Sequence, residues 1–252
     1  MATYVISDIH GEYNKFIHML DKIKLSDEDT LYILGDVVDR APDPIKVLLK
    51  LMEMPNVIPL IGNHEVMALD CLDFLCQEIT ENTIEEMTPQ QIMNILNWHY
   101  NGSITTMTQF RLQDEETRQD IIEYIKDFEA YDEVTVKCSD DTEKTFLLVH
   151  AGLGGYSPDK KIEDYSLNDI VWERPDYSVP YYPDRKNFFV LTGHTPTQGI
   201  EGNEKPGYIY RENNHIDIDC GACFEGGRLA AICLETDEEF YIEDEKSEDE
   251  TE

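Results

Sequence analysis

Apolar and polar positions along the chain alternate between two spacings. Thr3 to Ile6 is a short, β-branched apolar run that stops at the polar group Ser7-Asp8-Ile9-His10-Gly11, and Phe16, Ile17, Leu20 and Ile23 then recur at helical spacing. The pattern repeats at Leu31 to Leu34, which ends at Gly35-Asp36-Val37-Val38-Asp39-Arg40. Pro44 suits the first turn of a helix carrying Ile45, Leu48, Leu49 and Met52. A third run, Val57 to Ile61, ends at Gly62-Asn63-His64-Glu65, where Gly62 lets the backbone turn sharply. Asp8, Asp36 and Asn63 are 28 and 27 residues apart, close to the ~30 of one βαβ unit. Three parallel strands would therefore deliver Asp8/His10, Asp36/Asp39 and Asn63/His64 to one carboxyl edge, where α/β sheets place ligands. Any one of these carboxylates alone also suits a helix cap or turn. Three polar clusters after three apolar strands argue against coincidence.

Glu65 to about Glu133 reads as mostly helical, with Val66, Leu69, Leu72 and Leu75 on one face and a start signal at Thr88-Pro89-Gln90-Gln91. Ile121, Ile122, Ile125 and Phe128 mark a further helix, and Asn101-Gly102 a helix end. His99, beside Trp98 and Tyr100, reads as packing, and His18 as a surface residue. This region is expected to be a helical elaboration over one face. The chain then returns to strands at Val134 to Lys137 and Thr145 to Val149, the second ending at His150-Ala151-Gly152. Phe188 to Thr192 ends at Gly193-His194-Thr195-Pro196, the same succession of apolar strand, histidine and turn. His215 does not fit this pattern, and Ile216 to Leu234, with Gly221, Gly226 and Gly227, reads as a tight turn and closing hairpin.

Composition narrows the class. The 252 residues suit one domain, and 41% hydrophobic with 29% charged residues is the balance of a soluble globular chain. No run approaches the ~18 apolar residues that span a bilayer, and the start lacks the flanks of a secretion signal, so a cytoplasmic protein is expected. The formal net charge of −33 argues against a nucleic-acid-binding surface, which needs Lys and Arg to neutralise phosphates. Glu235 to Glu252 holds eleven acidic residues and one Lys and, after its Phe240-Tyr241-Ile242 cluster, is expected to be a disordered tail, with a tail that folds back onto the protein as the alternative, so the chain divides into a domain over 1–234, with a helical elaboration over 66–133, and a tail over 235–252. Six scattered cysteines suggest no disulfide framework; Cys220-Gly221-Ala222-Cys223 lacks a second ligand pair for zinc and reads as buried thiols in a turn.

The candidate constellation is Asp8, His10, Asp36, Asn63, His150 and His194, a set of oxygen and nitrogen donors without a thiolate. Such donors suit Mn, Fe or Zn. Six of them exceed the demand of one tetrahedral metal and suit two octahedral ions sharing a carboxylate. Two metals ~3.5 to 4 Å apart are the usual arrangement for hydrolysing phosphate esters, generating a hydroxide and clamping the phosphoryl oxygens.

Asp8-Ile9-His10-Gly11, Gly35-Asp36-Val37-Val38-Asp39-Arg40, Gly62-Asn63-His64-Glu65, His150-Ala151-Gly152 and Gly193-His194-Thr195, in this order, resemble the metallophosphoesterases of the serine/threonine phosphoprotein phosphatase family. A family-like ending extends from Ile216 through Gly221 to Gly227-Arg228-Leu229. The resemblance implies an α/β, α+β-layered fold, a calcineurin-like β-sandwich core flanked by helices with a dinuclear site at the carboxyl rim of its strands. It implies that Asp8 and His10 bind a first ion, that Asp36 bridges, and that Asn63, His150 and His194 bind the second, with Mn expected and Fe, Zn or Ni as alternatives. It further implies that His64, oriented by Asp39, protonates the leaving oxygen, while Arg40, Asn63 and Arg174 hold the phosphate. Ser7 and Ala41 stand where glycines are commoner, and Ile61 stands where the eukaryotic enzymes carry Arg. The compact length is similar to bacterial and phage members, which include protein phosphatases and symmetrical diadenosine tetraphosphate hydrolases. The latter generally lack an acid at the place of Asp39 and read Asp at the place of Glu65, so a phosphomonoester is favoured, with phosphoserine or phosphothreonine in proteins the leading substrate. Dinucleoside polyphosphate hydrolysis is the alternative, and a non-catalytic metal-binding module the third reading; oligomeric state is left open.

Overall fold

The computed structural model describes residues 1–244 and contains two five-stranded sheets packed face to face. In the first, β1 (Thr3–Ile6), β2 (Thr30–Ile33) and β3 (Val57–Pro59) run parallel, connected through α1 (Tyr13–Ile23) and α2 (Pro44–Met52). After α3 (Asn63–Leu75) come the helices α4 (Glu81–Glu85), α5 (Pro89–Tyr100), α6 (Ile104–Leu112) and α7 (Glu115–Lys126), so the stretch expected to be helical to residue 133 is helical as far as Lys126 and passes into a strand at Tyr131. The second sheet is built from β4 (Tyr131–Lys137), β5 (Glu143–Val149), β6 (Phe188–Thr192), β7 (Tyr210–Glu212) and β8 (His215–Asp217), in the order β4-β5-β6-β8-β7, with α8 (Leu167–Val171) between β5 and β6. β5, β6 and β8 are parallel to one another.

Side-chain alternation explains why these strands read as continuous apolar runs. Val5, Tyr32, Leu34, Phe146, Leu148, Leu191 and Ile232 fill the layer between the sheets. Their neighbours Ile6, Leu31, Ile33, Leu147, Val190 and Ala231 belong to a second cluster that includes Phe16, Leu48, Leu72 and Ile122 of the helices. Strands covered on both faces have no solvent side on which to place polar residues. The expected start signal of α5 is real: Thr88 and Gln91 form a capping box with Pro89 at the first helical position.

Two expectations need correction. Ile216 to Leu234 is not one hairpin: β8 lies in the second sheet, whereas β9 (Arg228–Cys233) joins the first, antiparallel to β1. The glycine-containing turn between them, with Gly221 and Gly226 at φ +72°, carries the chain from one sheet to the other. The closing hairpin is instead β9 with β10 (Glu239–Glu243), completing the order β10-β9-β1-β2-β3. Hence the expected tail from residue 235 begins with a strand: Phe240 and Ile242 pack on the core, and the Phe240 ring meets Tyr4 edge-on at 6.1 Å. An acidic run with alternating apolar positions is an edge strand whose charges discourage pairing with other chains. The remainder of the expected tail, 245–252, lies outside the described residues.

Candidate active site

The polar groups that end β1, β2, β3, β5 and β6 meet at one rim. His10 Nε2 lies 3.5 Å from Asp36 Oδ2 and 4.0 Å from Asp8 Oδ1. His150 Nε2 lies 3.4 Å from Asp36 Oδ1 and 3.0 Å from Asn63 Oδ1, and His194 Nδ1 lies 2.9 Å from the same amide oxygen. Asp36 thus stands between two groups of donors, with His10 on one side and His150 with His194 on the other. The backbone is held in an unusual form to achieve this. Asp8, His10, Asp36, Asp39, Arg40 and His194 all have left-handed φ, between +47° and +74°. Non-glycine residues rarely adopt it, and where they do, surrounding packing over-determines the conformation.

Glu65 supplies much of that packing. Its buried carboxylate accepts the backbone N–H groups of Asp36 (2.8 Å), Val37 (2.8 Å), Val38 (3.2 Å) and Gly62 (3.0 Å), tying the turn after β2 to the start of α3. A Cβ on Gly62 would collide with Asp36, so the close approach requires glycine. At the far side, the His194 N–H donates to Asp8 Oδ2 at 2.9 Å, and a Cβ on Gly193 would strike Ser7, whose hydroxyl also donates to Asp8. Ser7 therefore fits its place by bonding the Asp8 carboxylate. Ala41 sits outside the left-handed region, so a glycine is not needed there.

The four histidines of the site, three buried and His194 half-buried, divide into two kinds. His10 donates Nδ1–H to the Val38 carbonyl (2.9 Å), His150 donates Nδ1–H to that of Leu34 (2.6 Å), and His194 donates Nε2–H to that of Trp172 (3.1 Å). Each is left with a nitrogen lone pair facing Asp36 or Asn63. Burial lowers the pKa of all three, pushing His194 down to about 3 with the help of His150. His64 is different, because its Nδ1 lies 2.6 Å from Asp39 Oδ2. Burial lowers its pKa too, but Asp36 and Asp39 outweigh that effect and raise it above the ordinary value. The His64 Nε2 faces the Arg40 guanidinium at 3.1 Å. Arg40 is exposed, as is Arg174, which lines a neighbouring cavity of about 310 Å³.

The arrangement fits divalent cations. Neutral imidazole nitrogens oriented by carbonyls, an amide oxygen and two buried carboxylates converge on one space, and fixing a ring through its other N–H is how metal-binding histidines are oriented. Burial, Asp219 and Asp36 raise the Asp8 carboxyl well above the usual range, and a positive ion would relieve that crowding of charge. His64 also lies near Asp36, at 3.9 Å, but its two nitrogens already face Asp39 and Arg40.

Residues 1–222 match the calcineurin-like phosphoesterase family. The chain belongs to that family. Among curated relatives, the symmetrical bis(5'-nucleosyl)-tetraphosphatase of Buchnera aphidicola subsp. Acyrthosiphon pisum is 34% identical over 101 residues, 39% of this chain and 37% of the relative. That of Wigglesworthia glossinidia brevipalpis is 41% identical over 68 residues, 26% of this chain and 25% of the relative. The similarity thus spans between a quarter and little more than a third of these relatives' length. Solved phosphoesterases share the fold. A candidate diadenosine tetraphosphatase superposes with a TM-score of 0.63 at 16% identity, covering 98% of this chain and 95% of that one. A serine/threonine phosphatase from Saccharomyces cerevisiae superposes with a TM-score of 0.58 at 13% identity, covering 99% and 82%. These findings bear out the expected family and sandwich fold. Among the described residues, no helix is long and apolar enough to cross a membrane.

Several contributors to this candidate site were not singled out in the sequence. Trp98 and Thr106, from the helical elaboration, bond Asp39, and Asp219, after β8, lies buried near Asp8 with its carboxyl pushed up to about 7 by burial. The alternating Ile216-Asp217-Ile218-Asp219 was a signal for the last, since a strand places alternate residues on one face. By contrast, His215 is structural: it is buried and its Nε2–H donates to the Val179 carbonyl at 2.8 Å. His99 does not pack as expected; it is exposed, while its neighbour Trp98 is buried. Of the Cys220/Cys223 pair, Cys220 is buried, whereas Cys223 is half-exposed beside Arg40.

Proposed function

We propose that this protein is a metal-dependent phosphatase acting on phosphomonoesters, with phosphoserine or phosphothreonine in proteins as the leading substrate. The observation that carries this reading is the His64–Asp39 pair, 2.6 Å apart and buried beside Asp36. Asp8 and His10 would hold a first divalent ion, Asn63, His150 and His194 a second, and Asp36 both, with Mn²⁺ the expected occupant of this oxygen and nitrogen set. Such ions supply Lewis acidity, activating water and drawing charge from the phosphoryl oxygens. The chain's own residues do the rest. Arg40 and Arg174 bind and orient the phosphate as cationic donors, helped by the Asn63 amide. Asp39 holds the His64 ring by Nδ1, which leaves Nε2 on the side of Arg40, where the leaving oxygen of a bound phosphate would lie. When a phosphate draws the Arg40 guanidinium towards itself, Nε2 becomes free to carry the proton that an alkoxide leaving group needs.

Symmetrical hydrolysis of diadenosine tetraphosphate is the second reading, favoured by the names of the curated relatives over the matched 101 residues. A Mn²⁺-loaded preparation assayed with a phosphoserine peptide, an aryl phosphate and diadenosine tetraphosphate separates the two. The phosphopeptide is expected to be turned over readily, and chelation to abolish turnover. Cleavage of the dinucleotide orders of magnitude faster than of either monoester would select the second reading, and full activity without metal would sink both.

A further inference from the structure

The helical elaboration reaches the chemistry through one residue. Asp39 is fully buried, yet both oxygens of its carboxylate have a donor. Oδ2 accepts the His64 Nδ1–H at 2.6 Å and the Trp98 Nε1–H at 2.8 Å, and Oδ1 accepts the Thr106 hydroxyl at 2.6 Å. The Thr106 oxygen in turn accepts the Asp39 backbone N–H at 2.9 Å. Next along the chain, the Arg40 N–H donates to the Gly102 carbonyl at 3.0 Å, and Gly102, at φ +101°, packs against the Arg40 side chain. Trp98 is the largest fully buried side chain among the described residues, and Thr106 is 1% exposed. Trp98 lies in the last turn of α5, Thr106 in the first turn of α6, and Gly102 in the turn between them.

These contacts come from 59 and 67 residues away. They meet a carboxylate in a left-handed backbone that the adjoining chain does not by itself stabilise. We infer that Trp98 and Thr106 are positioning residues for the His64–Asp39 pair, and that the α5–α6 corner fixes the acid's geometry instead of merely covering the core. A buried carboxylate that loses a donor relocates to find another. Asp39 would then swing from His64, whose ring would lose its aim at the leaving oxygen. The reading rests on the assignment of His64 as the general acid, and predicts a defect graded by the leaving group. An alkoxide needs the proton, whereas the phenolate of 4-nitrophenyl phosphate needs it much less.

The test uses the full-length, Mn²⁺-loaded protein. Trp98→Phe keeps the ring but removes the N–H, Thr106→Val keeps the shape but removes the hydroxyl, and Thr106→Ser keeps the hydroxyl. Trp98→Phe and Thr106→Val are each expected to lower kcat on a phosphoserine peptide about tenfold, the worth of one hydrogen bond to a charged group, and to change kcat on 4-nitrophenyl phosphate less than about twofold. Thr106→Ser should restore the wild-type ratio of the two rates. Thermal melting confirms that each variant is folded, and bound metal should be unchanged. Equal losses on both substrates, no loss on either, or failure of Thr106→Ser to restore the ratio would overturn the inference. His64→Asn in parallel distinguishes the two failures. If it is leaving-group selective and the Trp98 and Thr106 variants are not, the positioning role alone falls; if it is unselective, the acid assignment beneath it falls.

Discussion

His10, His150 and His194 share a rim with His64 and are all buried or nearly so, yet their protonation is driven in opposite directions. Three rings lean on backbone carbonyls and one leans on a carboxylate. A carbonyl fixes the tautomer without adding charge, so desolvation wins and the ring stays neutral with a lone pair to offer. Asp36 favours the charged form of all four rings, but at His64 alone a further carboxylate at 2.6 Å adds charge where water is excluded, and that ring is pushed towards its protonated form. The difference teaches that rings held neutral and a ring pushed towards protonation are separated here by the atom on the far side of the ring, and not by burial.

The most severe way to break the comparison is to remove the group both kinds of histidine face. Asp36→Asn should weaken binding at both metal positions together. Turnover should fall by more than the roughly 10- to 100-fold typical of substitutions that only support a ligand. Calorimetric titration with Mn²⁺ would show two sites lost together; loss of one site alone would mean that Asp36 does not bridge. Next in size is His64→Asn, which should leave metal content intact and slow phosphoserine turnover by about 10² to 10⁴, the usual worth of general acid catalysis. Loss of metal in that variant would move His64 into the ligand set. Asp39→Asn should give a milder, equally selective defect, because the ring remains but its orienting charge is gone.

How much of this could be read from the chain depended on the range of the interactions involved. The strands, and the polar group at the end of each, were legible because burial on both faces and short βα turns are local demands on sequence. Asp8, His10, Asp36, Asn63, His150 and His194 accordingly come together as expected. Trp98 and Thr106 were not legible as site residues, since an indole in an amphipathic helix carries the same apolar pattern whether or not its N–H has a carboxylate to meet. The left-handed backbone at Asp8, His10 and Asp36 was equally hidden, because only tertiary contacts such as the Glu65 clamp stabilise it. β10 was only half legible, because Phe240-Tyr241-Ile242 stands out as an apolar cluster while the charges around it, counted along the chain, favour a disordered tail over a paired strand.

The clamp itself gives a sharper test of what holds both kinds of histidine in place. Glu65→Gln would turn one acceptor into a donor against the N–H groups of Asp36 and Gly62 or of Val37 and Val38. An unsatisfied buried group of this kind costs about 1 to 3 kcal/mol, which for a chain of this size lowers the melting temperature by roughly 2 to 12 °C. An unchanged melting temperature would show that the clamp is dispensable to the fold.

The smallest expected effect reads the comparison directly, as the pH dependence of stability in chelator-treated protein. His194 is pushed down to about 3 in the folded state, against about 6.5 when unfolded. Between those values the unfolded chain binds the proton and the folded chain does not, so stability falls as pH drops below about 6.5 and continues to fall towards about 3. His64 has the opposite sign, since its folded value is raised. Its contribution is fully present below about 6.5 and is lost as pH rises through the folded value. From pH 6.5 to 5, wild type should lose about 2 kcal/mol relative to His194→Asn, while His64→Asn should show no such protection over the same window. Urea unfolding of the three chelated proteins at several pH values measures this. Parallel curves for wild type and His194→Asn would mean that His194 is not held neutral, and the division between carbonyl-anchored neutral rings and a carboxylate-anchored ring pushed towards protonation would lose its physical basis.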